Sequence, residues 1–122
     1  TFAKKLQGAG LVDYIFAADD YFEEMAHREN ITYIQAFAKY RHNIRKAHEL
    51  CQTNTKQSLD TGYSVAVHNT FTTRCEIQPY YEMNCLGEMT IITCERLPYF
   101  GDNGHGVPQS VIEKMKTRWE KL

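Results

Sequence analysis

Short apolar runs rich in β-forming residues alternate along this chain with segments of helical periodicity, and this alternation constrains the fold more than any other feature. The runs predicted to form strands are 11–17, 63–68 and 89–94. The segments predicted to form helices are 1–6, 21–27, 31–60, 74–85 and the stretch that opens at Val107 and Pro108. Strands that alternate with helices favour βαβ units. We therefore predict an α/β domain whose parallel sheet carries helices on both faces.

The length and composition are those of one soluble globular domain. The 122 residues suffice for a single core, so residues 1–122 are interpreted as one domain. A formal net charge of -1 argues against a surface that coats nucleic acid non-specifically, and it is compatible with a local basic pocket. The apolar runs are too short for a membrane span, and the first residues lack the apolar region of a signal peptide. We therefore predict a cytoplasmic protein with no membrane partner.

The cysteines admit two interpretations. They are Cys51, Cys75, Cys85 and Cys94. In a secreted protein, an even number would suggest disulfides, whereas in a cytoplasmic protein a free cysteine acts as a small buried hydrophobic residue. The spacings match no metal-binding motif, and the chain holds no CxxC pair. The missing signal peptide favours free thiols, and a secreted, disulfide-bonded protein stays open as the alternative.

Four segments in a fixed order carry motifs that bear on function. They are TFAKKL at 1–6, AADDYF at 17–22, HNTFTTRCEIQPY at 68–80, and NGHGVP at 103–108 followed by RWE at 118–120. Together these segments resemble the P-loop kinases that include polynucleotide kinase and its AAA-type ATP-binding relatives, and they span nearly the whole chain. The first is similar to the helix start that follows the family's glycine loop. The others resemble its acidic motif, its third-strand stretch and its lid with the last helix.

The resemblance implies a P-loop kinase-like fold and an ATP-dependent phosphotransferase that uses ATP and Mg²⁺. Its acceptor would be a hydroxyl of a nucleic-acid end or of a nucleotide-like molecule. The family's glycine loop, with its lysine and Mg²⁺-binding hydroxyl, has no counterpart in the sequence. The first strand and the phosphate loop are therefore expected upstream of Thr1, and the chain alone is expected to be inactive. The alternative is a non-enzymatic domain, either degenerate kinase-like or an interaction module.

Candidate catalytic and substrate-binding residues follow the first predicted strand and continue into the long predicted helix. Asp19 and Asp20 stand where open α/β sheets bind their ligands. By the resemblance, Asp19 is the base that accepts the proton of the attacking hydroxyl, and Asp20 contacts substrate. The alternative is that the two carboxylates simply cap the next helix. Further substrate contacts are expected from Arg41, Arg45 and His48. The two arginines lie one turn apart and would clamp a phosphate or face solvent, and the histidine belongs to a stretch that resembles the family's A-H-x-x-C pattern.

The remaining candidates would hold or activate the nucleotide. Those assigned to ATP or its phosphates are Thr1, Asn69, His105 and Arg118. Asn69 alternatively fixes its loop through bonds to the backbone. Arg96 is assigned a catalytic role, because its charge would stabilise the transferring phosphoryl group. It stands at the base of a glycine-rich loop, 96–107, that the resemblance identifies as a lid over the nucleotide. No metal ligand is predicted within the chain.

All four cysteines are expected to react with a thiol reagent when the protein is unfolded without a reductant. The reason is that the predicted core elements need no covalent crosslinks, and a reducing compartment keeps thiols free. A sample reduced before unfolding provides the control. Fewer reactive thiols in the unreduced sample than in the reduced one would favour the secreted, disulfide-bonded alternative.

Overall fold

The computed structural model describes residues 2–83, 89–94 and 108–120, and the chain divides into two compact units, Thr1–Thr70 and Phe71–Leu122. The helices of the first unit are α1 (Phe2–Gly8), α2 (Asp19–Glu29), α3 (Tyr33–Tyr40), a 3₁₀ helix (Arg41–Asn43) and α4 (Ile44–Asp60). Those described in the second unit are α5 (Arg74–Met83) and α6 (Gln109–Arg118). No helix among the described residues is both long enough and apolar enough to cross a bilayer.

The first unit contains a small parallel sheet, which positions the candidate site. Its strands are β1 (Tyr14–Phe16) and β2 (Val65–Val67), and Ile15 lies opposite Ala66. Parallel strands need a long crossover connection, and α2, α3 and α4 supply it. The predicted α/β class is confirmed in this coarse form, as a mostly helical chain with a two-stranded parallel sheet. The described residues do not form the larger sheet that a P-loop kinase-like fold requires.

The strand predicted at 89–94 is wrong. These residues form no strand, and 90–94 are exposed. A run of β-forming side chains becomes a strand only where a neighbouring strand satisfies its backbone groups and a packed face covers its side chains. Ile91 and Ile92 remain 39% and 53% exposed, so this segment lacks the second requirement.

The single helix predicted at 31–60 is also wrong in its continuity, because the structure divides it into α3, the 3₁₀ helix and α4. Thr32 has extended backbone angles and caps α3, so this helix begins at Tyr33 and not at residue 31. Near the end of the 3₁₀ helix, Asn43 has a ψ of 15°. Its side chain donates from Nδ2 to the Tyr21 hydroxyl at 2.9 Å. An asparagine side chain that bonds away from its own helix favours such a break.

An aromatic cluster directly after β1 forms the core of the first unit. Its buried members are Ala18, Tyr21, Phe22 and Ala47, and its partly buried members are Met25, Tyr33, Phe37 and Tyr40. The Phe22 ring is only 1% exposed. Its centroid lies 5.0 Å from that of Phe37 and 5.2 Å from that of Tyr21. Full burial of a phenylalanine side chain contributes about 1.5–3 kcal/mol, so this cluster holds α2, α3 and α4 against the end of β1.

In the second unit, a network around buried Thr72 joins the start of α5 to the end of α6. Glu76 Oε2 accepts hydrogen bonds from the backbone N–H groups of Thr72 at 2.6 Å and Thr73 at 3.1 Å. Glu120 donates from its backbone N–H to the Thr72 carbonyl at 2.7 Å. Its Oε2 in turn accepts from the Arg74 backbone N–H at 2.8 Å. The helix predicted at 74–85 is confirmed over 74–83. The two residues before it, Thr72 and Thr73, are held by their backbone bonds to Glu76.

The cysteines that the structure describes are free thiols. Cys51 is buried on α4, whereas Cys75 and Cys94 are exposed. Cys85 lies outside the described residues. For the three described cysteines, the prediction of free thiols is confirmed.

Replacement of Thr32 by alanine is expected to destabilise the protein by ~1 kcal/mol, because helix α3 would lose its N-cap. Thr32 Oγ1 accepts from the Gln35 backbone N–H at 3.2 Å, and Gln35 Oε1 accepts from the Thr32 backbone N–H at 2.9 Å, which completes a capping box. Urea unfolding followed by circular dichroism measures the change.

The matched control is Thr53→Ala, at an exposed position inside α4. Surface substitutions away from special features change stability by less than ~0.5 kcal/mol. Equal unfolding midpoints for the two variants would contradict a stabilising role for the cap.

Candidate functional site

The carboxyl ends of β1 and β2 lie side by side, because the strands are parallel and in register. The backbone pairing continues one step beyond the strands, where the His68 N–H donates to the Phe16 carbonyl at 3.0 Å. Four polar residues follow the two strands at this edge of the sheet. We call them the strand-end cluster, and they are Asp19, Asp20, His68 and Asn69. Open α/β sheets bind ligands at this edge.

Asn69 ties the two strand ends together. Its Oδ1 accepts a hydrogen bond from the backbone N–H of buried Ala18 at 2.7 Å. Its Nδ2 lies 3.8 Å from the Sγ of buried Cys51 on α4. The amide therefore links the end of β1, the end of β2 and α4. This is the loop-fixing role that the sequence offered as the alternative to phosphate binding.

Asp19 lies in the first turn of α2, where it is partly buried. Its Oδ1 accepts a hydrogen bond from the Tyr33 hydroxyl at 2.6 Å. Burial raises the pKa of Tyr33 strongly, and the hydrogen bond to Asp19 and the charges of Asp19 and Glu23 raise it further. The phenol therefore stays protonated near neutral pH and acts as a donor to the carboxylate.

Asp20 makes a local bond, but it is not the N-cap that the alternative interpretation predicted, because it is the second residue of α2 and Ala18 occupies the cap position. Its Oδ2 accepts from the Ala17 backbone N–H at 2.9 Å, just before α2 begins. The bond fixes the backbone just before the N-cap residue Ala18, which supplies no side-chain bond of its own. Acidic side chains in the first turn also interact favourably with the helix dipole. The structure thus gives Asp20 a structural bond, and its contact with substrate remains a prediction.

The other predicted substrate residues lie on the 3₁₀ helix and α4. Arg41 and Arg45 are exposed, and Arg45 Nε contacts Glu49 Oε1 at 3.0 Å in an i,i+4 ion pair. A pair this exposed contributes about 0.3–0.5 kcal/mol at most, which leaves the arginine able to exchange Glu49 for another anion. His48 is partly buried on α4, three residues before Cys51.

The predicted nucleotide residues are described only in part. In the second unit, Arg118 Nε donates to the Thr72 hydroxyl at 3.0 Å and so belongs to the network that fixes the end of α6. Thr1, Arg96 and His105 lie outside the described residues. The predicted lid, 96–107, lies outside them as well.

Comparison of the chain with protein-family models, with curated proteins and with solved structures found no match. The resemblance to P-loop kinases therefore depends on the four sequence segments alone.

Sequence reasoning missed Tyr33, the hydrogen-bond donor to Asp19. The two residues are 14 positions apart, on α2 and α3. The sequence did contain one local signal, because a Thr32-x-x-Gln35 capping box marks Tyr33 as the first residue of a helix. No sequence pattern shows which side chain that first residue faces.

The described residues contain no group of three or more His, Cys, Asp or Glu side chains arranged to hold a metal ion. In the strand-end cluster, the Asp19 carboxylate accepts a hydrogen bond from a phenol and the Asp20 carboxylate accepts one from a backbone N–H. The Asn69 amide links the two strand ends. Such a set fits proton acceptance and hydrogen bonding better than it fits metal coordination, which for Mg²⁺ requires several oxygen ligands in octahedral geometry.

Replacement of Asn69 by alanine is expected to destabilise the protein by about 1–3 kcal/mol, because it leaves the buried Ala18 N–H without its acceptor. Chemical denaturation followed by circular dichroism measures the loss in the free energy of unfolding. Asn54→Ala, at an exposed position on α4, serves as the control and should unfold close to the parent protein. An Asn69→Ala variant as stable as this control would show that the bridge contributes nothing.

Proposed function

We propose that this chain is the catalytic-base and acceptor-binding part of an ATP-dependent phosphotransferase that resembles polynucleotide kinase. The observation that carries the proposal is a partly buried carboxylate, Asp19, held by a phenol at the carboxyl edge of a parallel sheet. The four sequence segments support it, since the one containing Asp19 resembles the family's acidic motif. The proposed acceptor is a hydroxyl of a nucleic-acid end or of a nucleotide-like molecule, in the cytoplasm.

In the proposed reaction, the acceptor hydroxyl oxygen attacks the γ-phosphorus of ATP, and ADP leaves. Asp19 accepts the hydroxyl proton and aligns the attacking oxygen. Phosphoryl transfer has little covalent chemistry for a protein to perform, so positioning and electrostatic stabilisation account for most of the catalysis. Arg41 and Arg45 are the proposed contacts to acceptor phosphates, because arginine binds phosphate through paired hydrogen bonds. In the same scheme Arg96 stabilises the transferring group, and Thr1, His105 and Arg118 contact the nucleotide.

The proposal requires a glycine loop that residues 1–122 lack. Such a loop binds phosphates through backbone N–H groups and a lysine, and a serine or threonine hydroxyl binds Mg²⁺. Because the described residues offer no set of Mg²⁺ ligands, no step above depends on the metal. A strand followed by GxxxxGK[ST] in the coding sequence directly before residue 1 would support the proposal and the larger P-loop kinase-like sheet that it implies.

A specific observation favours a second candidate, a non-enzymatic kinase-like or interaction domain. Three predicted site residues already make structural bonds: Asp20 to Ala17, Asn69 to Ala18 and Arg118 to Thr72. Side chains that already stabilise their own units by such bonds need no ligand to explain them. The two candidates differ at Asp19, which only the enzyme needs as a carboxylate.

Replacement of Asp19 by asparagine is expected to lower the transfer rate by ~10²–10⁴-fold, the usual contribution of a general base. The assay is transfer of labelled γ-phosphate to an oligonucleotide by a form of the protein that includes the upstream loop. ATP binding, measured by calorimetry, should stay close to that of the parent, because Asp19 is proposed to contact the acceptor rather than the nucleotide.

Asp20→Asn is the matched variant, since it changes the neighbouring carboxylate in the same helix turn. Its effect on kcat should be small, because the asparagine oxygen can still accept the bond from the Ala17 N–H. If Asp20→Asn lowers kcat more than Asp19→Asn, the base has been assigned to the wrong carboxylate. If neither variant changes kcat, Asp19 is not the base, and if no transfer occurs at all, the non-enzymatic candidate is favoured.

A further inference from the structure

The hydroxyl of Tyr33 contacts the carboxylate proposed as the base, yet no sequence motif points to it. We propose that Tyr33 is a positioning residue, which fixes the orientation of the Asp19 side chain at the carboxyl edge of the sheet. The inference rests on the 2.6 Å bond between the Tyr33 hydroxyl and Asp19 Oδ1. Its catalytic meaning depends on the proposed function, whereas the orientation itself does not.

The ring that carries this hydroxyl is held on two sides. Its centroid lies 6.3 Å from that of buried Phe22 at an interplanar angle of 78°, and 6.2 Å from that of Phe37 at 19°. Aromatic pairs in edge-to-face and stacked arrangements stabilise one another beyond their buried area. The donor therefore occupies a defined position, which a side chain on a mobile loop would not.

The backbone beneath the ring is also fixed. Tyr33 is the first residue of α3, and the reciprocal bonds of Thr32 and Gln35 determine where that helix starts. Helix α3 packs against α2, which carries Asp19. Donor and acceptor are thus each placed by a helix, and sites supported by rigid elements hold their geometry better than sites on loops.

The chemistry of the pair suits orientation rather than proton exchange. A hydrogen bond from a hydroxyl to a carboxylate is short and stronger than one between neutral groups. Burial, together with the nearby carboxylate, raises the pKa of Tyr33, so its proton stays on the phenol in the neutral range. A carboxylate offers about four lone-pair positions, so a bond at Oδ1 is compatible with a second partner such as an attacking hydroxyl.

The direct test measures the orientation of Asp19 in the 122-residue chain, without ATP or acceptor. Three-bond NMR couplings to the Asp19 carboxyl carbon report whether its side chain occupies one rotamer. We expect a single rotamer in the parent protein and averaged couplings in Tyr33→Phe, which removes only the hydroxyl and keeps the ring contacts. Unchanged couplings in a folded Tyr33→Phe variant would overturn the proposal.

The matched control is Tyr63→Phe, which removes a hydroxyl from an exposed ring that contacts Tyr14 at a centroid distance of 5.1 Å. Its Asp19 couplings should equal those of the parent. If Tyr63→Phe also averages them, the change reflects general loosening, and the specific role of Tyr33 fails.

A second measurement replaces Asp19 and observes Tyr33, so the interaction can be tested even if Tyr33→Phe does not fold. In Asp19→Asn, the Tyr33 phenol should ionise at lower pH than in the parent, because its phenolate no longer faces a carboxylate. It should still ionise above the ordinary range, since burial is the largest cause of the raised pKa. NMR of the tyrosine ring carbons follows the onset of this ionisation up to the highest pH at which both proteins stay folded. An onset at the same pH in both would show that the two groups do not interact.

The role of Tyr33 in catalysis is tested separately, by steady-state kinetics. In a form of the protein that transfers phosphate, Tyr33→Phe should lower kcat by ~10-fold or more while KM for ATP stays within about twofold, because a misplaced catalytic group costs up to ~10²-fold. A kcat equal to the parent's would overturn the positioning role in catalysis. A protein that transfers no phosphate, yet loses the Asp19 rotamer in Tyr33→Phe, would contradict the proposed function and leave the orientation by Tyr33 supported.

Discussion

Burial of the Phe22 ring is the interaction on which the rest of the first unit depends. Strands of three residues make too few hydrogen bonds to be stable alone, and an isolated pair of strands is marginal in water. The ring lies directly after β1, and its contacts with Tyr21 and Phe37 hold α2 and α3 together at that strand end. The small sheet is therefore maintained by the helices that connect its strands, more than by its own ladder.

The same arrangement explains why the polar edge of the sheet is ordered. Once α2, α3 and α4 are fixed around the aromatic cluster, the Ala18 N–H and the Asn69 amide meet in a partly buried position. A buried donor without an acceptor is costly, so the amide bridge and the helix packing support each other. The strand-end cluster is held by hydrogen bonds within the chain, which is consistent both with a preorganised catalytic site and with a purely structural one. Among its members, Asp19 is the carboxylate bonded to a side chain from another helix, and this sets it apart from Asp20.

The second unit has a different kind of stabilisation. In this unit the Glu76 and Glu120 carboxylates accept hydrogen bonds from the backbone N–H groups of Thr72 and Arg74, and Arg118 donates from Nε to the Thr72 hydroxyl. Thr72 is buried, whereas the side chains that bond around it are exposed, so these bonds fix the local backbone at the edge of the unit. Arg118 therefore has a clear structural role, and a contact with nucleotide would have to compete with its bond to Thr72.

The sequence by itself determined the elements that local physical chemistry controls. Apolar β-forming runs located β1 and β2, helical periodicity located the segments around them, and the parallel alternation indicated which strand ends would carry Asp19 and Asn69. Gly62, with a φ of 94°, follows the end of α4, where glycine is the residue that adopts a left-handed backbone most readily. These features depend on neighbours a few positions away, so a linear pattern contains the information.

Only the tertiary structure decided the rest. The bond between Ala18 and Asn69 joins residues 51 positions apart, and the bond between Asp19 and Tyr33 spans two helices. The break at the 3₁₀ helix accompanies the contact of Asn43 with Tyr21, which no local period reveals. Residues 89–94 have the composition of a strand but not the packing, because strand formation requires a partner and a covering face that composition cannot supply. Long-range contacts of this kind depend on how helices pack around Phe22, and that packing is a property of the folded chain rather than of any one segment.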